Sequence, residues 1–87
     1  MTAKDALKSE IENRTKQLAN FKQKLQTKVE EGDEDAQEAM RLLKKVELSL
    51  RGADAAVTQG NWPDAFYLFA QACWNLGWSH SRVKIPW

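Results

Sequence analysis

The chain has 87 residues, with 13 lysines and arginines against 12 aspartates and glutamates and a formal net charge of +1. A chain of this length is expected to form one domain of modest stability, because it buries only roughly 60 % of the surface that its unfolded form exposes. The near balance of charges excludes a global field that would draw the protein to nucleic acid or to an anionic membrane, and the single cysteine excludes an internal disulfide.

The apolar runs of the chain favour a soluble, cytoplasmic protein. The first ten residues are charged from Lys4 onward and contain no apolar stretch of the kind found in a signal peptide. The longest apolar run lies near the carboxyl end and is shorter than the ~20 residues that a membrane-spanning helix needs. We therefore expect no membrane segment.

The first predicted element is an amphipathic helix over residues 3–31. Neither glycine nor proline occurs in this stretch, and its apolar residues recur at steps of three, four and seven, as one face of an α-helix requires. These residues are Leu7, Ile11, Leu18, Phe21, Leu25 and Val29. Gly32 can adopt the left-handed conformation that ends a helix, and the acidic residues after it favour the positive end of the next one.

The second predicted helix covers residues 34–58 and carries a seven-residue repeat of apolar positions, which is typical of a coiled-coil-like seam. The repeat consists of Ala36, Leu43, Leu50 and Val57, interleaved with Ala39, Val46 and Ala53. Gly60 and Asn61 then end the helix, and Pro63 suits the first turn of a third helix over residues 62–79.

The third helix should be shorter than the hairpin formed by the first two, about 25 Å against roughly 40 Å. We expect its core face to consist of Trp62, Phe66, Phe69, Cys73 and Leu76. The uncovered end of the hairpin, including Phe21 and Leu25, could be covered by the tail of residues 80–87, which reaches up to ~30 Å when extended. Dimerisation through the same surface is the alternative.

Together these elements predict a single all-α domain over residues 1–87. Its fold is an antiparallel three-helix bundle, in which a coiled-coil-like helical hairpin is joined by a shorter aromatic third helix and an extended C-terminal tail.

A glycine, an aromatic residue two positions later, and two alanines around a large aromatic follow one another in the second turn and third helix. These residues are Gly60, Trp62, Ala65, Phe69 and Ala72. The pattern resembles the helical hairpin of tetratricopeptide repeats and of microtubule-interacting-and-trafficking modules, over about residues 49–77. The helix before it departs from the repeat pattern at Ser49, Ala53 and Ala56. The resemblance implies close helix packing and a scaffold whose relatives mostly bind other proteins, and it carries over no ligand residue.

The third helix also carries an aromatic stripe, which we define as Tyr67, Gln71, Trp74 and Trp78. Their spacing of four, three and four puts them on one helical face. Three interpretations remain open for this stripe: a second core face, a protein interface, or a platform on which nucleic-acid bases stack. Tyrosine and tryptophan dominate the energetics of protein interfaces, so a protein partner is expected if the stripe is exposed.

A basic ridge of Lys16, Lys24 and Lys28 on the first helix is the candidate site for nucleic acid. Together with Asn20, these lysines step by four along one helical face. The alternative is an ordinary solvated helix face. The acidic cluster of residues 30–35 lacks the spacing of a calcium loop, so we assign it to helix-end electrostatics rather than to a metal.

The remaining chemistry of the sequence does not favour catalysis. His80 is the only histidine and is expected in a solvated loop, and Cys73 is expected in the core. No phosphate-binding glycine loop or nucleophile motif occurs, so we expect neither an enzyme nor a cofactor.

The function that the sequence favours is non-enzymatic protein binding, by an adaptor, inhibitor or assembly factor that occupies a partner surface. Small inhibitors encoded by mobile genetic elements fit this description. Nucleic-acid binding through the basic ridge and a purely structural homodimer are the alternatives.

Overall fold

The computed structural model describes residues 2–87 and contains three α-helices, with no β-strand in that range. They are α1 (Ala3–Glu30), α2 (Glu34–Gln59) and α3 (Trp62–Ser81). The all-α, three-helix architecture is confirmed. The third helix runs two residues further than predicted, so the tail begins at Arg82.

Each helix begins at a polar residue whose side chain accepts a hydrogen bond from a backbone N–H that the helix leaves free. Thr2 accepts from Asp5, Asp33 accepts from Ala36, and Asn61 accepts from Asp64. Gly32 and Gly60 have φ angles of 85° and 75°, in the left-handed region that favours glycine. The two interhelical turns therefore form where the sequence predicts them.

α2 is the central helix of the bundle. It packs against both other helices, whereas α1 and α3 hardly touch each other. All positions of the predicted seven-residue repeat in α2 are buried, and so is the predicted apolar face of α1 except for the half-buried Val29. The main buried side chains of α1 are Leu7, Ile11, Leu18, Phe21 and Leu25. The buried apolar side chains of α2 are Ala36, Ala39, Leu43, Val46, Leu50, Ala53, Ala56 and Val57.

The predicted core face of α3 is wrong in part. Phe66 is 55 % exposed and Cys73 is only half-buried, whereas Ala65, Ala72 and Ser79 are buried. The reason is the small side chains that α2 and α3 bury: Ala53 and Ala56 of α2, and Ala65, Ala72 and Ser79 of α3. Small side chains on both helices allow close packing, so this face of α3 points inward and larger side chains lie at its edges.

The tail folds back against α1, which is the first of the two possibilities that the sequence left open for the uncovered end of the hairpin. Ile85 is buried, and the ring of Trp87 meets that of Phe21 edge to face, at 5.4 Å between centroids. The Lys24 ammonium donates hydrogen bonds to the main-chain oxygens of Pro86 and Trp87, at 3.1 and 2.9 Å. The tail thus connects α1 to α3, two helices that make little contact of their own.

Candidate protein-binding surface

The aromatic stripe lies on the outside of α3. Tyr67, Trp74 and Trp78 are 67 %, 73 % and 49 % exposed, and Gln71 is exposed between them. The interpretation of the stripe as a second core face is therefore wrong. Its exposure follows from the packing of α3, because the alanine and serine face that contacts α2 leaves the aromatic face in solvent.

The carboxyl end of the stripe is ordered by contacts within the chain. The guanidinium carbon of Arg82 lies 5.3 Å from the centroid of the Trp78 ring, close enough for a cation–π interaction. Arg82 also pairs with Glu38 of α2, at 3.4 Å between Nη1 and Oε2. Gly77 leaves a shallow depression of about 250 Å³ beside Trp74 and Trp78, where an inserted side chain would find apolar walls.

Leu48 of α2 extends the apolar surface beyond α3. Its side chain is 67 % exposed, although leucine is usually buried. Gly52 lies opposite Leu68, and the pair of Glu38 and Arg82 fixes the antiparallel register of the two helices. Leu48 precedes Gly52 by one helical turn, so this register places it level with Ala72 and beside Gln71.

Sequence reasoning missed Leu48 and assigned Phe66 to the core. Leu48 lies outside the seven-residue repeat of α2. An apolar residue outside the repeat could have been recognised from the sequence as a residue on the surface of the helix. Phe66 lies on a different face of α3 from the stripe, and its ring is 6.0 Å from that of Trp62. Phe66 therefore belongs to a separate aromatic pair.

The basic ridge is engaged within the chain. Lys16 pairs with Glu12 at 3.4 Å, Lys24 holds the tail, and Lys28 is half-buried. The ammonium groups of Lys16 and Lys24 therefore already have partners, to which a phosphate group would be an alternative. The ridge is also separate from the aromatic stripe, because it lies on α1, which hardly touches α3.

His80 does not lie in a solvated loop, contrary to the prediction. It belongs to the last turn of α3, is half-buried, and its ring stacks on Trp87 with 3.7 Å between centroids and 11° between planes. Its Nε2 atom donates a hydrogen bond to the main-chain oxygen of Ile85. The histidine therefore fixes the tail in place.

The acidic turn also has a structural assignment, since Asp33 caps α2 through its side chain. Across residues 2–87, no histidine, cysteine, aspartate or glutamate side chains gather in a group of three or more that could hold a metal ion.

An open groove of about 1070 Å³ separates α1 and α2 on the side away from α3. Its apolar lining residues are Ile11, Leu18, Ala19 and Leu50, and the other residues that line it have polar or charged side chains. Two ion pairs bridge the helices along it, Lys8 with Asp54 and Lys22 with Glu47. The large aromatic side chains are therefore concentrated on α3 and not in the larger groove.

No helix in the described part of the chain is both long and apolar enough to cross a lipid bilayer. Comparisons of the chain with protein-family models, with curated proteins and with solved structures find no match in any of the three.

Proposed function

We propose that this protein is a non-enzymatic binding module, which acts by occupying the surface of a partner protein through Tyr67, Gln71, Trp74 and Trp78. The observation that carries the proposal is the exposure of three large aromatic side chains on one face of a helix that packs on α2 through a different, buried face. A monomeric soluble protein rarely leaves such a contiguous apolar surface in water unless another molecule covers it.

The physical properties of the stripe suit a protein interface. Tyrosine and tryptophan supply large contact areas at a low cost in conformational entropy. They are enriched among the few interface residues whose truncation costs about 2 kcal/mol or more. The close packing of α3 on α2 holds the stripe before any partner arrives. A preorganised surface gains affinity because less order must be imposed on binding.

The roles that fit this surface are those of an adaptor, an inhibitor or an assembly factor in the cytoplasm. The resemblance of residues 49–77 to tetratricopeptide and microtubule-interacting-and-trafficking hairpins supports the proposal, since those scaffolds mostly bind proteins. Blocking a larger enzyme requires only a shaped surface, so an inhibitor encoded by a mobile genetic element is one form that this function could take.

The proposal is tested by affinity capture from nuclease-treated lysate of the source cell. Three tagged chains are compared: the native protein, the double variant Tyr67→Ser, Trp74→Ser, and the control Phe66→Ser. The control removes an exposed aromatic side chain from a different face of the same helix. Circular dichroism verifies that each variant has native helix content.

We expect a protein that is captured by the native chain and by the control but not by the double variant. A protein captured equally by all three chains would contradict the assignment of the stripe. So would a protein that is captured from untreated lysate but not from the nuclease-treated lysate.

A further inference from the structure

A cationic row runs along the exposed side of α2 and consists of Arg41, Lys44, Lys45 and Arg51, all of which are exposed. The row has Leu48 at its centre, and Arg41, Lys44, Leu48 and Arg51 follow the three-and-four spacing of a single helical face. Glu47 is the acidic residue of α2 that borders this face, and its carboxylate is directed toward α1, where it pairs with Lys22 at 2.8 Å. Arg51, at the end of the row, also lines the groove between α1 and α2.

The cationic row lies beside the aromatic stripe. Gly52 opposite Leu68 and Glu38 paired with Arg82 fix α2 and α3 in antiparallel order, so the segment between Arg41 and Arg51 runs alongside the segment between Phe69 and Ser79. Lys44 and Lys45 are level with Leu76 and Asn75 in this register, less than one helical turn from Trp74 and Trp78 along α3. The face shared by the two helices therefore has aromatic groups on one side, cations on the other, and Leu48 between them.

The cationic row takes part in no ion pair within the described part of the chain. The ion pairs found among residues 2–87 use Lys8, Lys16, Lys22 and Arg82 as their cations, and none of the row. Like charges placed on one helical face repel each other, which makes the row an attractive site for anionic groups. It also opposes self-association in a two-fold contact whose axis runs across α3, because such a contact brings the rows of two copies together.

We propose that the partner presents an acidic surface, in which carboxylate side chains lie beside the apolar groups that cover the stripe. This inference rests on the proposed function and specifies the chemistry of the partner. Its basis is charge complementarity: carboxylates opposite Arg41, Lys44, Lys45 and Arg51 would neutralise the row while Trp74, Trp78 and Leu48 are buried. Complementary charges of this kind select the partner and speed association.

A single-stranded nucleic acid also combines negative charge with groups that stack on aromatic rings. Two observations favour a protein instead. The Arg82 guanidinium occupies one face of the Trp78 ring, where a base would otherwise stack. Leu48, which lies at the centre of the shared face, offers aliphatic contact rather than a stacking surface.

The test is a selection of random peptides displayed on yeast, with the purified full-length protein as the bait. We expect the enriched peptides to combine aspartate or glutamate with large apolar residues and to lose binding to the double variant Tyr67→Ser, Trp74→Ser. Reversal of charge in the variant Arg41→Glu, Lys45→Glu should weaken the selected peptides at least about tenfold. The control Lys4→Glu, Lys16→Glu has the same net charge, and it should bind within about twofold of the native protein.

Other outcomes separate this inference from the proposed function. The enriched peptides could bind through the stripe and yet be neutral or basic. That result would overturn the inference of an acidic partner but would agree with the proposed protein-binding function. Failure to enrich any peptide over the double variant Tyr67→Ser, Trp74→Ser would overturn both. Binding of labelled oligothymidylate that is lost in Arg41→Glu, Lys45→Glu would overturn both in favour of nucleic acid.

Discussion

Gly52 of α2 faces Leu68 of α3 so closely that a Cβ atom at position 52 would lie 3.0 Å from Cδ1 of Leu68. Leu68 thus covers the one glycine of the α2 helix, at the edge of the buried face of α3. With α2 offering glycine and alanine, α3 packs through its own alanines and Ser79, and Tyr67, Trp74 and Trp78 are left in solvent.

The close approach predicts the effect of a larger side chain at position 52. We expect Gly52→Val to lower the free energy of unfolding by about 1 to 3 kcal/mol, because the branched side chain forces Leu68 and α3 outward. Urea denaturation followed by circular dichroism measures this change. Gly77→Ala is the control: nothing lies within 4 Å of its added Cβ, so the better helix propensity should raise stability by up to about 1 kcal/mol. An equal effect of both substitutions would contradict the packing of α3 on α2.

Two tryptophans should differ in their contribution to stability. Trp87 stacks on His80 and contacts Phe21, so Trp87→Ala should lower the free energy of unfolding by about 1 to 2 kcal/mol. Trp74 is largely in solvent, so Trp74→Ala should change stability by less than about 0.5 kcal/mol. Thermal unfolding of both variants checks the difference. A larger loss of stability in Trp74→Ala than in Trp87→Ala would contradict the described positions of the two side chains.

The acidic turn should act as a helix cap. Asp33→Ala removes the acceptor for the backbone N–H of Ala36 and should cost about 1 kcal/mol of stability. Asp35→Ala, inside the first turn of the same helix, should cost less because it loses only a favourable interaction with the helix dipole. Chemical denaturation of the two variants gives the comparison. An unfolding temperature that rises on addition of calcium would show instead that the cluster binds a metal.

The free protein should be monomeric, since we propose that the stripe binds a different protein and since the cationic row beside it gives two copies of this face the same charge. Sedimentation velocity over a range of concentrations should give the mass of one chain. A dimer that Trp74→Ser converts to monomer would identify the stripe as a homodimer interface and contradict the proposed role in binding another protein.

The buried face of α2 could be predicted because apolar residues at every position of its seven-residue repeat lie on one side of the helix, which must then face the core. The inward face of α3 could not be predicted in the same way, because a search for the most hydrophobic face selects large aromatic residues over alanine. The seven-residue spacing of Ala65, Ala72 and Ser79 marks the buried face, but small residues indicate burial only when it is known that another helix packs closely against them. His80 was misplaced for a similar reason: the contact with Trp87 depends on where the tail turns, and no local pattern specifies that turn.

The most direct test of the central claim is the affinity of the native protein for a captured partner, measured by calorimetry, against that of Trp74→Ser. The account predicts at least a tenfold loss of affinity with an unchanged unfolding temperature, because Trp74 is exposed in the free protein and buried only in the complex. Native affinity in Trp74→Ser would show that the partner binds elsewhere and would contradict the assignment of the stripe.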